Sequence, residues 1–134
     1  MAVRVAVLRK DTPTKHCAYP EDSLDDVVHL GIRRDGIVVA TSTWFTKDCP
    51  EVPGVAATQL KGMAVDESLH NSGYGALLVT AGCELAHRRN SEIVWARARD
   101  SALGFYEKCG FNVVGEGFID EPTAMPHHIV VKYL

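Results

Sequence analysis

The hydrophobic period changes once in the middle of this chain, and that change limits the folds open to it. Residues 57–65 read as a strand. A polar stretch follows, and then Leu77, Leu78, Ala81, Leu85 and Ala86 recur at helical spacing across residues 74–89. His87, Arg88 and Arg89 suit the negative end of that helix, and Asn90 suits its stop. A strand that feeds a helix in this way excludes a pure bundle and a pure sandwich and makes the chain a mixed α/β domain.

The flanking segments agree. Residues 27–33 and 37–45 are strand-like, and Asp35-Gly36 between them suits a tight hairpin, where positive φ favours Asp, Asn and Gly. Residues 10–26 and 47–54 are polar and carry prolines, so they read as loops. Residues 92–98 alternate as a strand. Asp100 or Ser101 is expected to cap a second helix that runs through Lys108, with Gly110 at its end. Residues 111–114 and 129–133 are the last two expected strands. No repeat or linker interrupts the chain, so its 134 residues are expected to form a single domain, residues 1–134.

Composition narrows the partners. The net charge of -3 advertises no basic face for nucleic acid, and no apolar stretch is long enough to span a bilayer. Cys17, Cys49, Cys83 and Cys109 form no Cys-x-x-Cys pair, so no metal is expected, and free thiols in a reducing cytoplasm are.

The chemically informative run is Ser72-Gly73-Tyr74-Gly75-Ala76, between the strand and the helix. Small residues there let backbone N–H groups approach an anion, and the helix terminus adds partial positive charge. Pyrophosphate is a natural guest. A lone Gly-x-Gly is weak evidence, because many such turns are only turns. No Gly-Lys-Ser/Thr follows, which argues against an NTPase. Gly-x-Gly-x-x-Leu stands where a dinucleotide fingerprint needs a third glycine.

Two runs together carry a family resemblance. His70-Asn71-Ser72-Gly73-Tyr74-Gly75 resembles the Arg/Gln-x-x-Gly-x-Gly/Ala loop of the GNAT acetyltransferases. Residues 101–111, with Phe105-Tyr106 followed by Gly110-Phe111, resemble that superfamily's second signature. The resemblance extends over residues 28–134. It implies the acyl-CoA N-acyltransferase fold: a mixed, mostly antiparallel central sheet flanked by helices, its fourth and fifth strands splayed to admit acetyl-CoA. The implied reaction is direct transfer of acetyl from acetyl-CoA, the acyl-donor cosubstrate, to a primary amine.

The resemblance also assigns residues. His70, Asn71, Ser72, Gly73, Tyr74, Gly75 and Ala76 would hold the phosphates, and Met63, Ala64 and Val65 would pair with the pantetheine arm through their main chains. Ala102 and Phe105 would lie against the cofactor, though Phe105 on spacing alone is a core residue. Tyr106 would protonate the leaving thiolate, a role suited to a group of pKa about 10. His70 replaces the usual Arg or Gln and lacks the guanidinium fork and permanent charge. Arg99 stands where many members carry asparagine.

The general base is not singled out: His29, His127, His128, Glu67 and a bound water are all able to take a proton. His127 and His128 are adjacent on a strand and so point to opposite faces, which disfavours joint metal ligation. Trp44, Trp95 and Tyr19 either line the acceptor pocket or pack. Cys109 is expected to be a core thiol. Residues 5–10 resemble the tail of the family's first helix, so either the first strand is missing and the N-terminus shortened, or residues 1–8 serve as that strand. The acceptor, a small-molecule or peptide amine, is not specified by the sequence. A homodimer is common in the family. Two alternatives stay open: a non-catalytic acyl-CoA sensor and an interaction module on the same fold.

Overall fold

A computed structural model of the chain describes residues 3–8, 27–66, 73–120 and 124–134. Among the described residues seven strands form one sheet: β1 (Val3–Leu8), β2 (Val28–Arg34), β3 (Ile37–Thr46), β4 (Ala57–Val65), β5 (Ile93–Arg99), β6 (Asn112–Asp120) and β7 (Met125–Tyr133). Their order is β1-β2-β3-β4-β5-β7-β6. Helix α1 (Tyr74–Arg88) joins β4 to β5, and a 3₁₀ turn (Asp100–Ala102) leads into α2 (Leu103–Lys108). This is the expected mixed sheet flanked by helices. The chain divides into two compact units, Met1–Thr46 with Leu60–Leu85 and Lys47–Gln59 with Ala86–Leu134.

In the first unit β1, β2 and β3 form an antiparallel meander, with Val3 opposite Arg34 and Val28 opposite Trp44. The β2–β3 turn is Asp35-Gly36, with φ of 53° and 84°. Two consecutive positive φ values define a type I′ turn, whose twist matches that of the flanking strands. Residues 3–8 are therefore a strand and not the tail of a helix. Pairing along all six residues with β2 settles what a short, weakly patterned segment left open.

The core of this unit is built on β3 and α1. Trp44, Phe45, Leu78 and Val79 are buried, as are Leu30 and Ile32 of β2. The Trp44 indole lies directly over Gly82, where an added Cβ would overlap the ring. A glycine that costs α1 about 1 kcal/mol in propensity thus makes room for the largest side chain of the core. The indole N–H donates to Ser42 Oγ at 2.8 Å.

In the second unit the amides of Glu92 and Ile93 both donate to the Ala56 carbonyl, at 2.8 and 3.3 Å. The two strands starting there, β4 and β5, therefore run the same way. β7 lies antiparallel between β5 and β6. A cluster of Cys49, Ala57, Ile93, Trp95, Ile129 and Val131 fills one face, closed by Val52, Val55, Val114 and Phe118. Trp95 donates its indole N–H to the Lys47 carbonyl at 2.8 Å. Trp44 and Trp95 are both core residues, 0% and 3% exposed; Tyr19 lies outside the described residues.

Both helices end in the same device. Asn90 has φ 66° and Gly110 has φ 93°. The Ser91 amide reaches back to the Ala86 carbonyl and the Phe111 amide to the Tyr106 carbonyl, each at 3.0 Å. These are Schellman closures, which need a left-handed residue just past the helix.

The start of α2 differs from expectation. Neither Asp100 nor Ser101 caps it: the N-cap is Ala102, without a side-chain hydrogen bond. The Asp100 carboxylate instead accepts from His128 Nδ1 at 2.6 Å. β6 also runs to Asp120, past a register irregularity between Val114 and Phe118 that takes up Gly115 and Gly117. β7 begins at Met125, four residues before the strand expected from the sequence.

Candidate functional site

The expected site residues fall into two groups, one in each unit. In the first, Met63, Ala64 and Val65 form the end of β4, Ala64 exposed and its neighbours half-buried. Gly62 just before them has φ 66°. A left-handed residue inside a strand marks a bulge, which re-aims the backbone that follows. Sequence reasoning passed over Gly62, although an isolated glycine within a strand pattern is the local signal for such a bulge.

Gly73 opens α1. Its carbonyl accepts the first helical bond, from the Leu77 amide at 3.1 Å, which makes it the N-cap. Its φ is 87°, and a Cβ added there would meet nothing within 4 Å. Tyr74, Gly75 and Ala76 form the first turn, whose amides have no intrahelical acceptor. The first turn holds no acidic residue that would repel an anion. Open space at the cap, small residues and a 15-residue helix dipole fit a phosphate group. His70, Asn71, Ser72 and the base candidate Glu67 lie outside the described residues.

The second group lies on α2 and the turn before it. Ala102 and Phe105 are half-buried and Tyr106 is buried. The Tyr106 ring packs edge-on against Phe105 and Phe111, with centroids 5.3 Å apart in both pairs. Tyr106 and Phe111 are the two residues joined by the Schellman closure, whose usual companion is an apolar contact between those positions. The Phe-Tyr…Gly-Phe run is thus a helix end that locks Tyr106 in place. Burial pushes its phenol up to about 12, with Cys109 adding a smaller push. The hydroxyl therefore stays protonated, a standing donor, throughout the neutral range.

The other candidates separate. His29 Nδ1 lies 2.9 Å from Thr43 Oγ1 on paired strands. His127 is buried, donates Nδ1–H to the Met125 carbonyl at 2.9 Å and stacks on Phe118. His128 pairs with Asp100. Arg99 is exposed at the end of β5. Burial raises the Cys109 thiol, with Lys132 partly offsetting it. Among the described residues, Cys49, Cys83 and Cys109 form no disulfide. Among the described residues no group of His, Cys, Asp and Glu is arranged to hold a metal, and no helix is long and apolar enough to cross a membrane.

A mixed sheet with an open, glycine-capped helix terminus after β4 defines an α/β domain suited to a phosphate-bearing ligand. The model of the acetyltransferase (GNAT) family matches residues 5–111. The chain is 28% identical over 132 residues to "Uncharacterized N-acetyltransferase YitI" of Bacillus subtilis (strain 168), covering 98% of this chain and 88% of that protein. Among solved structures, the IAA acetyltransferase from Bacillus cereus ATCC 14579 superposes with a TM-score of 0.71 at 17% identity, covering 99% of this chain and all of that one. A GNAT family acetyltransferase from Elizabethkingia anophelis, solved with acetyl-CoA bound, gives 0.72 at 15% identity, with 98% of each chain covered. The chain belongs to the GNAT family and is an acetyl-CoA-dependent N-acetyltransferase.

Proposed function

We propose that this enzyme transfers acetyl directly from acetyl-CoA to a primary amine of a small molecule or peptide, without a covalent enzyme intermediate. The observation that carries the reading is the terminus of α1 at Gly73, whose first-turn amides have no acceptor within the helix and which holds, among the described residues, no acidic residue in that turn. Gly73, Tyr74, Gly75 and Ala76 bind the phosphates, together with His70, Asn71 and Ser72 of the preceding loop. The main chain of Met63, Ala64 and Val65, re-aimed by Gly62, holds the pantetheine arm and offers an amide to the thioester oxygen. Ala102 and Phe105 border the cofactor.

Tyr106 serves the leaving sulfur. With its phenol at about 12, full proton transfer to a thiolate of ordinary thiol pKa, about 8.5, is uphill. Its contribution is a hydrogen bond to the sulfur as charge develops there. Direct transfer is favoured over an acyl-cysteine route because the Cys109 thiol is raised by burial and is a poor nucleophile.

Calorimetric titration with acetyl-CoA, with CoA and dephospho-CoA as controls, tests the cofactor site; thiol release in the presence of amines then tests turnover. Saturable binding with amine-dependent release supports the reading. Binding without turnover of any amine would favour a sensor, and no binding would favour an interaction module. We place the enzyme in the cytoplasm as a homodimer, a state that size-exclusion chromatography with light scattering would check.

A further inference from the structure

We infer that Arg97, Arg99, Phe118 and His127 form a binding site for a small carboxylate that carries a hydroxyl or an amine on the neighbouring carbon. All four residues belong to the second unit. Arg97 and Arg99 are two apart on β5 and so share a face, roughly 7 Å from one another along the strand. Arg99 stands opposite His127 on β7, and His127 stands opposite Phe118 on β6. Residues directly opposite one another share a face, so this row sets a guanidinium, an imidazole and an aromatic ring side by side. Arg97 joins them: its guanidinium carbon lies 4.9 Å from the centroid of the Phe118 ring. Phe118 in turn packs on the cluster that holds Trp95 and Ile129, so the platform under Arg97 is anchored in the core.

The arginines supply the anion-binding half. On this face of β5 Ile93 and Trp95 are buried, while Arg97 and Arg99 are exposed. Two like charges side by side repel, and an anion between them relieves that repulsion. Stacking on a ring engages the face of a guanidinium and keeps its N–H donors in the plane, where a carboxylate is taken by two parallel bonds.

His127 supplies the other half. Its ring is 6% exposed and stacks on Phe118, with centroids 5.9 Å apart. Its Nδ1–H goes to the Met125 carbonyl at 2.9 Å; a carbonyl only accepts, so the lone pair is on Nε2. Among the described residues no donor meets that atom. Gln59 Oε1 is the one wholly enclosed, unpartnered side-chain atom among them, so Nε2 keeps an opening to a ligand. An acceptor in so dry a setting gains from any O–H or N–H brought to it. One molecule serves both halves when its donor sits on the carbon next to the carboxylate.

Three acids on the same carbon skeleton test this. L-Lactate carries a hydroxyl beside the carboxylate, L-alanine an ammonium, and propionate neither. Each is titrated into the full chain without acetyl-CoA and followed by NMR of the histidine ring nitrogens. Lactate and alanine should saturate and move the Nε2 signal of His127, lactate more tightly because the guanidinium groups oppose the alanine ammonium. Propionate should bind roughly 10-fold more weakly than lactate and leave that signal in place. Arg99→Gln and Arg97→Gln, both at exposed positions, should each weaken lactate roughly 10-fold with the melting temperature held. Equal affinity for the three acids, an unmoved Nε2 signal, or wild-type affinity in both arginine variants would overturn the site. Since no cofactor is present in the titration, any of those results leaves the acetyl-transfer reading standing.

Discussion

Replacing Gly73 by aspartate separates the two jobs of the α1 terminus, holding the helix and holding the cofactor. The new Cβ meets nothing within 4 Å, so the cost to the fold is the φ of 87° alone. That costs about 1–2 kcal/mol for an ordinary residue, and less for aspartate, which tolerates the left-handed region. An acidic N-cap returns about 0.5–1 kcal/mol through its interaction with the first-turn amides and the helix dipole. The net change in stability is therefore within about 1 kcal/mol, a Tm shift of roughly 5 °C or less. Cofactor binding faces a different sum. A carboxylate about 5 Å from a phosphate charge is repelled by about 1–3 kcal/mol for effective dielectrics between 80 and 20. The expected loss of acetyl-CoA affinity is roughly 5- to 150-fold, larger at low salt. Calorimetry at two ionic strengths, beside a thermal melt, measures both quantities. Gly73→Ala is the control: it should lose stability by about 1 kcal/mol and keep most of its affinity. Wild-type affinity in Gly73→Asp at low salt would refute the assignment of this terminus to the phosphates.

Gly82→Ala should destabilise the protein although alanine is the better helix former. The about 1 kcal/mol of propensity gained is outweighed by overlap with the buried Trp44 ring, for a net loss of about 2 kcal/mol, read by urea denaturation; a raised midpoint would refute the packing. Tyr106 should ionise later than the other tyrosines in a spectrophotometric titration, near pH 12, and that late step should vanish in Tyr106→Phe. Because its folded pKa is raised, the stability it confers is complete below about pH 10 and falls as pH rises toward 12. In enzyme assays Tyr106→Phe should lower kcat more than it raises the Kd of acetyl-CoA, and equal activity would leave it a packing residue. Gly36→Val should cost on the order of 1–2 kcal/mol by placing a β-branched residue at φ 84°, seen as a lower melting temperature.

The sequence by itself determined those features whose causes are local. Helical spacing marked α1 to within a residue of its end, and Asp35-Gly36 specified a type I′ turn because few residues accept two positive φ values in succession. Gly110 and Asn90 marked helix ends for the same reason. The Gly73-to-Ala76 turn and the Phe-Tyr…Gly-Phe run were legible because each is a short backbone device with its own chemistry. Tertiary structure decided whatever depends on partners far along the chain. Residues 3–8 became a strand through pairing with β2, since six residues carry too little pattern to choose alone. Asp100, a good cap by type, holds His128 across 28 residues, a partner that only the pairing of β5 with β7 brings to it. Gly115 and Gly117, beyond the strand expected over residues 111–114, lie in a strand irregularity beside Glu51 and His128. His127 and His128, equal in sequence, were separated by the strand's alternation: one ring went into the core and the other to the surface beside an acid.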